Sequence, residues 1–119
     1  MRFFGKKQKI ETEFLGKKKM VNGFQIREVN MNAVYEMTDQ QDLIAFVKKH
    51  GKYRDACEEA IKKITDQDIL TDFAQNGRYS WIRAIAATRI NSRSVLEDIA
   101  KKDPDEYVRI NAFNRLLEI

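Results

Sequence analysis

An internal repeat is the feature that most constrains how this chain folds. Residues 38–64, 65–90 and 91–116 form three segments of 26 or 27 residues, whose apolar positions align once one extra residue near His50 is allowed. The aligned columns are Leu43/Leu70/Leu96, Phe46/Phe73/Ile99, Ala56/Ile82/Val108, Ala60/Ala86/Ala112 and Ile64/Ile90/Leu116. A weaker copy covers residues 20–37. Self-similarity at a fixed period of this length indicates an array of stacked structural units.

Each repeat is predicted to contain two short helices. Apolar residues at i, i+3 and i+4 mark the first helix, and Thr38 and Thr65 are expected as its N-caps. In the third repeat, Asp103 as N-cap, Pro104 at N1 and Glu106 at N3 indicate the start of the second helix. The second helices are predicted over 53–64, 79–90 and 104–117. No segment with period-2 alternation competes with the helical pattern after residue 24, so no sheet is predicted.

Stacked copies of such a two-helix unit bury a continuous core. We therefore predict an all-α protein, a short right-handed α-α superhelix of about three to four repeats and roughly 35–40 Å in length at the usual spacing of packed helices. The predicted organisation is a basic segment at 1–19 and a repeat domain at 20–119. Disorder is one interpretation of the basic segment, and contact with nucleic acid or an anionic membrane is the other.

The third repeat carries a family resemblance. Its pattern Leu96-x-x-Ile99-Ala100-x-x-Asp103-Pro104-Asp105-x-x-Val108-Arg109-x-x-Ala112 resembles HEAT repeats of armadillo-type superhelices, in their compact bacterial form. Leucine-rich-repeat variants share part of the pattern and are the near alternative. The resemblance covers 38–116 well and 20–37 weakly. It implies a scaffold or binding surface more often than an enzyme, although base-excising DNA glycosylases and bilin lyases of related folds are longer exceptions.

The resemblance also implies a structural ladder between neighbouring repeats, made by an Asp in the inter-helix turn and an Arg six residues later. Asp103 and Arg109 match that spacing. The second repeat keeps Arg83 but has Gly77 in place of the Asp, and the first has Cys57 where the Arg is expected. The ladder is therefore expected to be partial.

Charge and reactive residues exclude several classes of site. The net charge of +4 belongs to residues 1–37, because the remaining residues carry equal numbers of each sign. One Cys and one His can form neither an intramolecular disulfide nor a His- or Cys-rich zinc site. No apolar run is long enough to span a membrane or to act as a signal peptide. We therefore expect a cytoplasmic protein that needs no cofactor, binds no metal through such ligands and is not an enzyme.

Individual residues with chemical potential are interpreted structurally. Acidic neighbours of Cys57 raise a thiol pKa, which argues against a nucleophile. His50 is expected as a helix C-terminal cap or a solvent residue. Trp81 and Tyr107 share one repeat column, and they either fasten their helices to the neighbouring repeat or provide an aromatic surface for a partner.

The second helices are expected to line a concave face that binds a partner. The predicted partner-binding residues are Asn32, Tyr35, Glu59, Lys62, Lys63, Ile85, Thr88, Arg89, Asn111, Asn114 and Arg115. Lys63, Arg89 and Arg115 share one column and form a basic stripe, which indicates either an acidic partner or matching of three helix dipoles.

The predicted function is a non-catalytic protein-interaction scaffold or adaptor that binds a protein or peptide on this face. The alternative is a nucleic-acid-binding protein that uses the basic N-terminus and the basic stripe. The apolar end at Leu117 and Ile119 is expected either to support weak self-association or to fold back onto the last repeat.

Overall fold

The computed structural model describes residues 14–119, which form seven helices and one two-stranded sheet. The elements are β1 (Leu15–Val21), β2 (Phe24–Val29), α1 (Met31–Tyr35), α2 (Gln40–Lys49), α3 (Arg54–Lys63), α4 (Gln67–Asn76), α5 (Ser80–Ala87), α6 (Arg93–Lys102) and α7 (Glu106–Glu118). The described residues belong to two compact units, one that ends at Thr38 and one that spans Asp39–Ile119. The prediction of a mostly helical protein is confirmed for the described residues. None of the described helices is long and apolar enough to cross a membrane.

The N-terminal unit contains the sheet, so the prediction of no sheet is wrong. Strands β1 and β2 pair antiparallel, with Val21 opposite Phe24 next to the turn. Asn22 and Gly23 have φ of 50° and 82°, the left-handed conformations that a two-residue hairpin turn requires. The Asn22–Gly23 dipeptide is therefore the sequence signal that outweighed the first part of the weak helical repeat expected over 20–37, whereas Met31–Tyr35 in its second part is helical.

The predicted boundary between residues 19 and 20 falls inside β1. Phe14 is fully buried, and its carbonyl accepts a hydrogen bond from the Asn30 amide at 2.8 Å. Ala33, Val34 and Met37 of the same unit are also buried. The prediction for 1–13, the larger part of the basic segment, lies outside the described residues.

The C-terminal unit consists of three helix pairs, α2/α3, α4/α5 and α6/α7. The second helices also pack side by side, α3 against α5 and α5 against α7, and α4 contacts α6. Ala60, Ala86 and Ala112 are completely buried, which lets neighbouring helix backbones approach closely. Leu43, Leu70 and Leu96, which share one repeat column, are buried to the same degree.

Four helices of the C-terminal unit begin at an Asp or Ser cap, whereas α3 and α5 follow Tyr53 and Tyr79 without a side-chain cap. Asp39 and Asp66, not Thr38 and Thr65, cap α2 and α4, and Ser92 caps α6. Asp105 caps α7, whereas Asp103 ends α6. The shift follows from geometry, because a carboxylate directly after Thr accepts from the N2 or N3 amide of the helix that follows it.

Two sets of hydrogen bonds recur from repeat to repeat. The C-cap carbonyl of each first helix accepts from a side chain of the second: Cys57 Sγ to His50 O at 3.1 Å, Arg83 Nη1 to Gly77 O at 2.9 Å and Arg109 Nη1 to Asp103 O at 2.6 Å. The first residue of each first helix donates to a carbonyl at the end of the second: Gln40 to Lys63 at 2.8 Å, Gln67 to Arg89 at 3.0 Å and Arg93 to Ile119 at 3.2 Å. Each helix pair is thus closed at both ends.

Candidate functional site

The second helices α3, α5 and α7 form one wall of the C-terminal unit, and a groove of about 320 Å³ opens on it. The groove is lined by Glu58, Lys62, Ile85, Thr88, Arg89, Tyr107 and Asn111. We call it the second-helix groove. Helix neighbours three and four residues apart share a face, which explains how three short helices present these side chains together.

The groove contains part of the predicted partner-binding set. Lys62, Ile85, Thr88, Arg89 and Asn111 line it, whereas Glu59, Lys63, Asn114 and Arg115 do not. Asn32 and Tyr35 are exposed in the N-terminal unit. Within the C-terminal unit, the groove therefore brings together the central part of the predicted face, where three successive repeats meet.

Two lining residues, Glu58 and Tyr107, are absent from the predicted set. Each lies four residues before a predicted residue, Glu58 before Lys62 and Tyr107 before Asn111. Extending each predicted position by one helical turn toward the N-terminus finds both, since side chains on a helix lean in that direction.

The two arginines of the basic stripe form hydrogen bonds with the preceding repeat. Arg115 donates from Nε to the Ile90 carbonyl at 3.0 Å and from Nη2 to the Asn91 side chain at 2.9 Å. Arg89 donates from Nη2 to the Ile64 carbonyl at 3.4 Å. Each arginine therefore bonds the backbone at the end of the preceding second helix, where carbonyl groups lack helical partners.

Local carboxylates balance the charge of Lys62 in the groove. Its ammonium lies 3.3 Å from Glu59 and 3.5 Å from Glu58. The hydrogen bond to Glu59, followed by that residue's charge, raises the pKa of Lys62. The ion pairs are solvent-exposed, so they orient the side chain without adding much stability.

The aromatic residues of the shared column have different surroundings. Trp81 donates from Nε1 to the Gly51 carbonyl at 2.8 Å and stacks on Tyr79 with ring centroids 4.7 Å apart. Tyr107 is 48% exposed, and its hydroxyl accepts a hydrogen bond from Arg54 at 3.4 Å. Trp81 therefore fastens its helix to the preceding repeat, and Tyr107 faces the groove.

His50 is the C-cap of α2, and its side chain is buried instead of facing solvent. Its ring lies 4.9 Å from that of Phe46 and 6.1 Å from that of Tyr53, measured between centroids. The carbonyl of His50 accepts from both Cys57 Sγ and the Tyr53 amide. This residue is thus part of the turn's packing.

Cys57 is fully buried, and burial raises the pKa of its thiol to about 12. We expect iodoacetamide at pH 8 to alkylate the native protein more than about 100-fold more slowly than the urea-unfolded chain, because the thiolate is the reactive form. The raised pKa stabilises the fold fully below the thiol pKa of the unfolded chain, and this contribution is lost as pH rises toward 12. Pulse alkylation followed by mass spectrometry measures both rates. Equal alkylation rates for the native and the unfolded chain would contradict the conclusion that the Cys57 thiol is unreactive in the folded protein.

Within residues 14–119, no group of three or more His, Cys, Asp or Glu side chains is arranged to hold a metal ion. Comparison with known proteins finds no family model, no curated protein and no solved structure that matches the chain. The fold and the site therefore define a mostly helical protein with a surface groove across its repeated helices.

Proposed function

We propose that residues 39–119 form a HEAT-like right-handed solenoid and act as a non-catalytic protein-interaction module. In this proposal, a protein or peptide partner binds across the second-helix groove. The observation that carries the proposal is that the groove is built from α3, α5 and α7, one helix from each successive repeat. A binding surface of this kind is the common use of stacked helical repeats.

The contacts between repeats support the solenoid. Second helices pack α3 on α5 and α5 on α7, so each repeat contacts its neighbour in the same way. Arg89 bonds the Ile64 carbonyl and Arg115 bonds the Ile90 carbonyl, so the second and third repeats each make the same bond to the repeat before them. Nearest-neighbour contacts that recur in register are the physical basis of a solenoid.

The chemistry of the groove favours a helix or an extended peptide. Ile85 and the ring of Tyr107 offer apolar contact, while Thr88 and Asn111 offer hydrogen bonds beside them. An exposed tyrosine flanked by polar groups combines a large contact area with a polar end, as in residues that dominate binding energies.

Arg89 provides a further polar contact for a partner. Its Nε is buried and has no acceptor among the described residues. An unpaired buried donor costs about 1–3 kcal/mol. A carbonyl from a partner would remove this cost once the side chain turned toward the groove.

The proposal predicts that Tyr107→Ala weakens peptide binding by at least about tenfold, as expected for a residue that dominates an interface. Peptides selected by display against the full chain would be titrated by calorimetry into the wild-type protein and the variant. Phe113→Ala is the matched control, because Phe113 is also an exposed aromatic residue of α7 but lies outside the groove. Selected peptides that bind wild type and Tyr107→Ala equally, or that lose affinity in Phe113→Ala alone, would contradict the proposal.

Nucleic-acid binding stays a prediction, and the contacts of the basic stripe favour it less. Arg89 and Arg115 use donors on backbone carbonyls, which leaves fewer of them for phosphate groups. The basic side chains of the hairpin, among them Lys17, Lys18 and Arg27, are exposed.

Self-association also stays a prediction. Ile110, Phe113 and Leu117 are 49%, 55% and 72% exposed, and their spacing places them along one face of α7. Leu117 does not fold back onto the last repeat, whereas the Ile119 carbonyl is held by Arg93.

The cytoplasmic location and the absence of an enzymatic activity are parts of the same proposal.

A further inference from the structure

A second concave feature, unrelated to the second-helix groove, lies where the turns of the first two repeats meet. It is a cavity of about 420 Å³ between the end of α2 and the end of α4, and we call it the basic cavity. Four cationic side chains and one carboxylate line it. A volume of this size accommodates a small organic molecule.

The cations come from separate parts of the chain. Lys48 lies in the last turn of α2, Lys52 follows in the turn to α3, and Arg78 follows α4. Lys48 makes no ion pair with any described residue. The Arg78 guanidinium lies 5.5 Å from the centroid of the Tyr79 ring, so a cation and an aromatic surface adjoin in the wall.

The carboxylate of the cavity, Asp72, does not neutralise these cations through an ion pair. It accepts a hydrogen bond from the Asn76 side chain at 2.9 Å, one helical turn further along. The residue four positions before Lys48 is Ile44, so α2 supplies no acidic partner at that spacing. The lining of the cavity therefore has an excess of positive charge with which Asp72 forms no ion pair.

The next repeat provides an internal comparison. A cavity of the same volume, about 420 Å³, lies between the ends of α4 and α6. There Lys102 pairs with Asp98 at 2.8 Å, and Arg83 pairs with Asp103 at 2.9 Å. Stacking of repeats thus creates the space in both places, but Lys48, Lys52 and Arg78 of the basic cavity form no ion pair with a described residue.

The floor of the basic cavity is apolar and fixed. Val47, Phe73 and Ile82 line it beside the Tyr79 ring. A Cβ on Gly51 would lie 3.0 Å from both Tyr79 and Ile82, so glycine allows the turn to approach these side chains. The Trp81 bond to the Gly51 carbonyl holds this wall in place, and a pre-formed site loses less entropy on binding.

We propose that the basic cavity binds a small organic anion, with a phosphate or carboxylate group held by Lys48, Lys52 and Arg78 and an apolar body on Phe73, Ile82 and Tyr79. The charge of the rim selects the anionic group. The apolar floor selects the body, which distinguishes this ligand from an inorganic ion. The volume of about 420 Å³ fits a body of about the size of a mononucleotide.

The test uses the full chain labelled with ¹⁵N at low salt, titrated with phenyl phosphate, adenosine 5′-monophosphate and inorganic phosphate. We expect saturable shifts of the Gly51, Gly77 and Tyr79 amides with at least one of the two organic phosphates. The double variant Lys52→Gln/Arg78→Gln is expected to bind at least tenfold more weakly. Lys17→Gln/Lys101→Gln, which removes the same charge outside the cavity, should bind as wild type does.

Three outcomes would overturn the proposal. The first is that neither organic phosphate gives saturable shifts at these amides. The second is that both double variants lose affinity equally, which would show a general charge effect. The third is that inorganic phosphate binds as tightly as the organic phosphates, which would show that the apolar floor contributes nothing. Amide spectra of both variants verify that each remains folded.

Discussion

Replacing Asp103 with alanine is expected to lower the free energy of unfolding by about 3 kcal/mol, because the change strands a desolvated arginine. The Asp103 carboxylate receives Arg83 Nε at 2.9 Å and Nη2 at 3.3 Å. It also accepts from the Asp105 amide at 2.9 Å, so its loss weakens the turn before α7 as well. The exposed fractions of the Arg83 and Asp103 side chains are 15% and 5%. Urea unfolding followed by circular dichroism measures the change.

Asp98→Ala is the matched control for Asp103→Ala. Asp98 pairs with Lys102 at 2.8 Å, but its side chain is 47% exposed, so its removal should cost less than about 1 kcal/mol. Adding Arg83→Met to Asp103→Ala should recover part of the stability, since the buried charge is then removed with its partner. Equal losses for Asp98→Ala and Asp103→Ala would refute the inter-repeat role of the Arg83–Asp103 pair.

Replacing Leu70 with alanine is expected to cost about 3 kcal/mol, within the usual range for a buried leucine. Leu70 is 1% exposed and lies in the central repeat, between the other two helix pairs. The loss combines the transfer free energy of the removed methyl groups with the cavity that they leave. Equilibrium denaturation at several urea concentrations gives the value, provided that the slope of the transition is unchanged.

Leu117→Ala removes the same atoms from the surface. Leu117 is 72% exposed, so the change should stay within about 0.5 kcal/mol. Both variants are compared at low protein concentration, which keeps any association through α7 out of the measurement. A cost for Leu117→Ala as large as that for Leu70→Ala would mean that the assignment of core and surface is wrong.

The helices of the C-terminal unit were predictable because their signals are local and repeated. Apolar columns spaced by one repeat placed the second helices α3, α5 and α7 within three residues of their observed bounds, and the largest difference is that α5 ends at Ala87 instead of residue 90. The caps were less predictable, since Thr38 and Asp39 are both good caps and only the backbone geometry selects Asp39.

The hairpin was not predicted from the sequence, for a different reason. Met20, Val21 and Gly23 match columns of the helical repeat, yet their segment forms strands. A two-residue turn with both φ values positive favours Asn-Gly, and this local preference decided the structure. The capping residue of the weak repeat, Asn30, follows the hairpin and begins α1.

The candidate site was predicted only in part. Repeat columns indicated the face of the second helices, and the groove holds five residues of that set, Lys62, Ile85, Thr88, Arg89 and Asn111. The spacing gave no sign that Arg115 bonds the Ile90 carbonyl, because that bond joins residues in neighbouring repeats. The basic cavity was missed entirely, since its cations come from separate turns.

The sequence by itself determined the period of the array, the pairing of helices and the residues that form the core, because apolar residues recur at the same positions of each repeat. The tertiary structure alone decided which charges are already engaged. Arg83 meets Asp103 and Arg89 meets Ile64 across repeats, whereas Lys48 and Arg78 converge on a cavity without such a partner. Distances of a few ångströms between residues about one repeat apart set these differences, and charge interactions depend steeply on distance and burial.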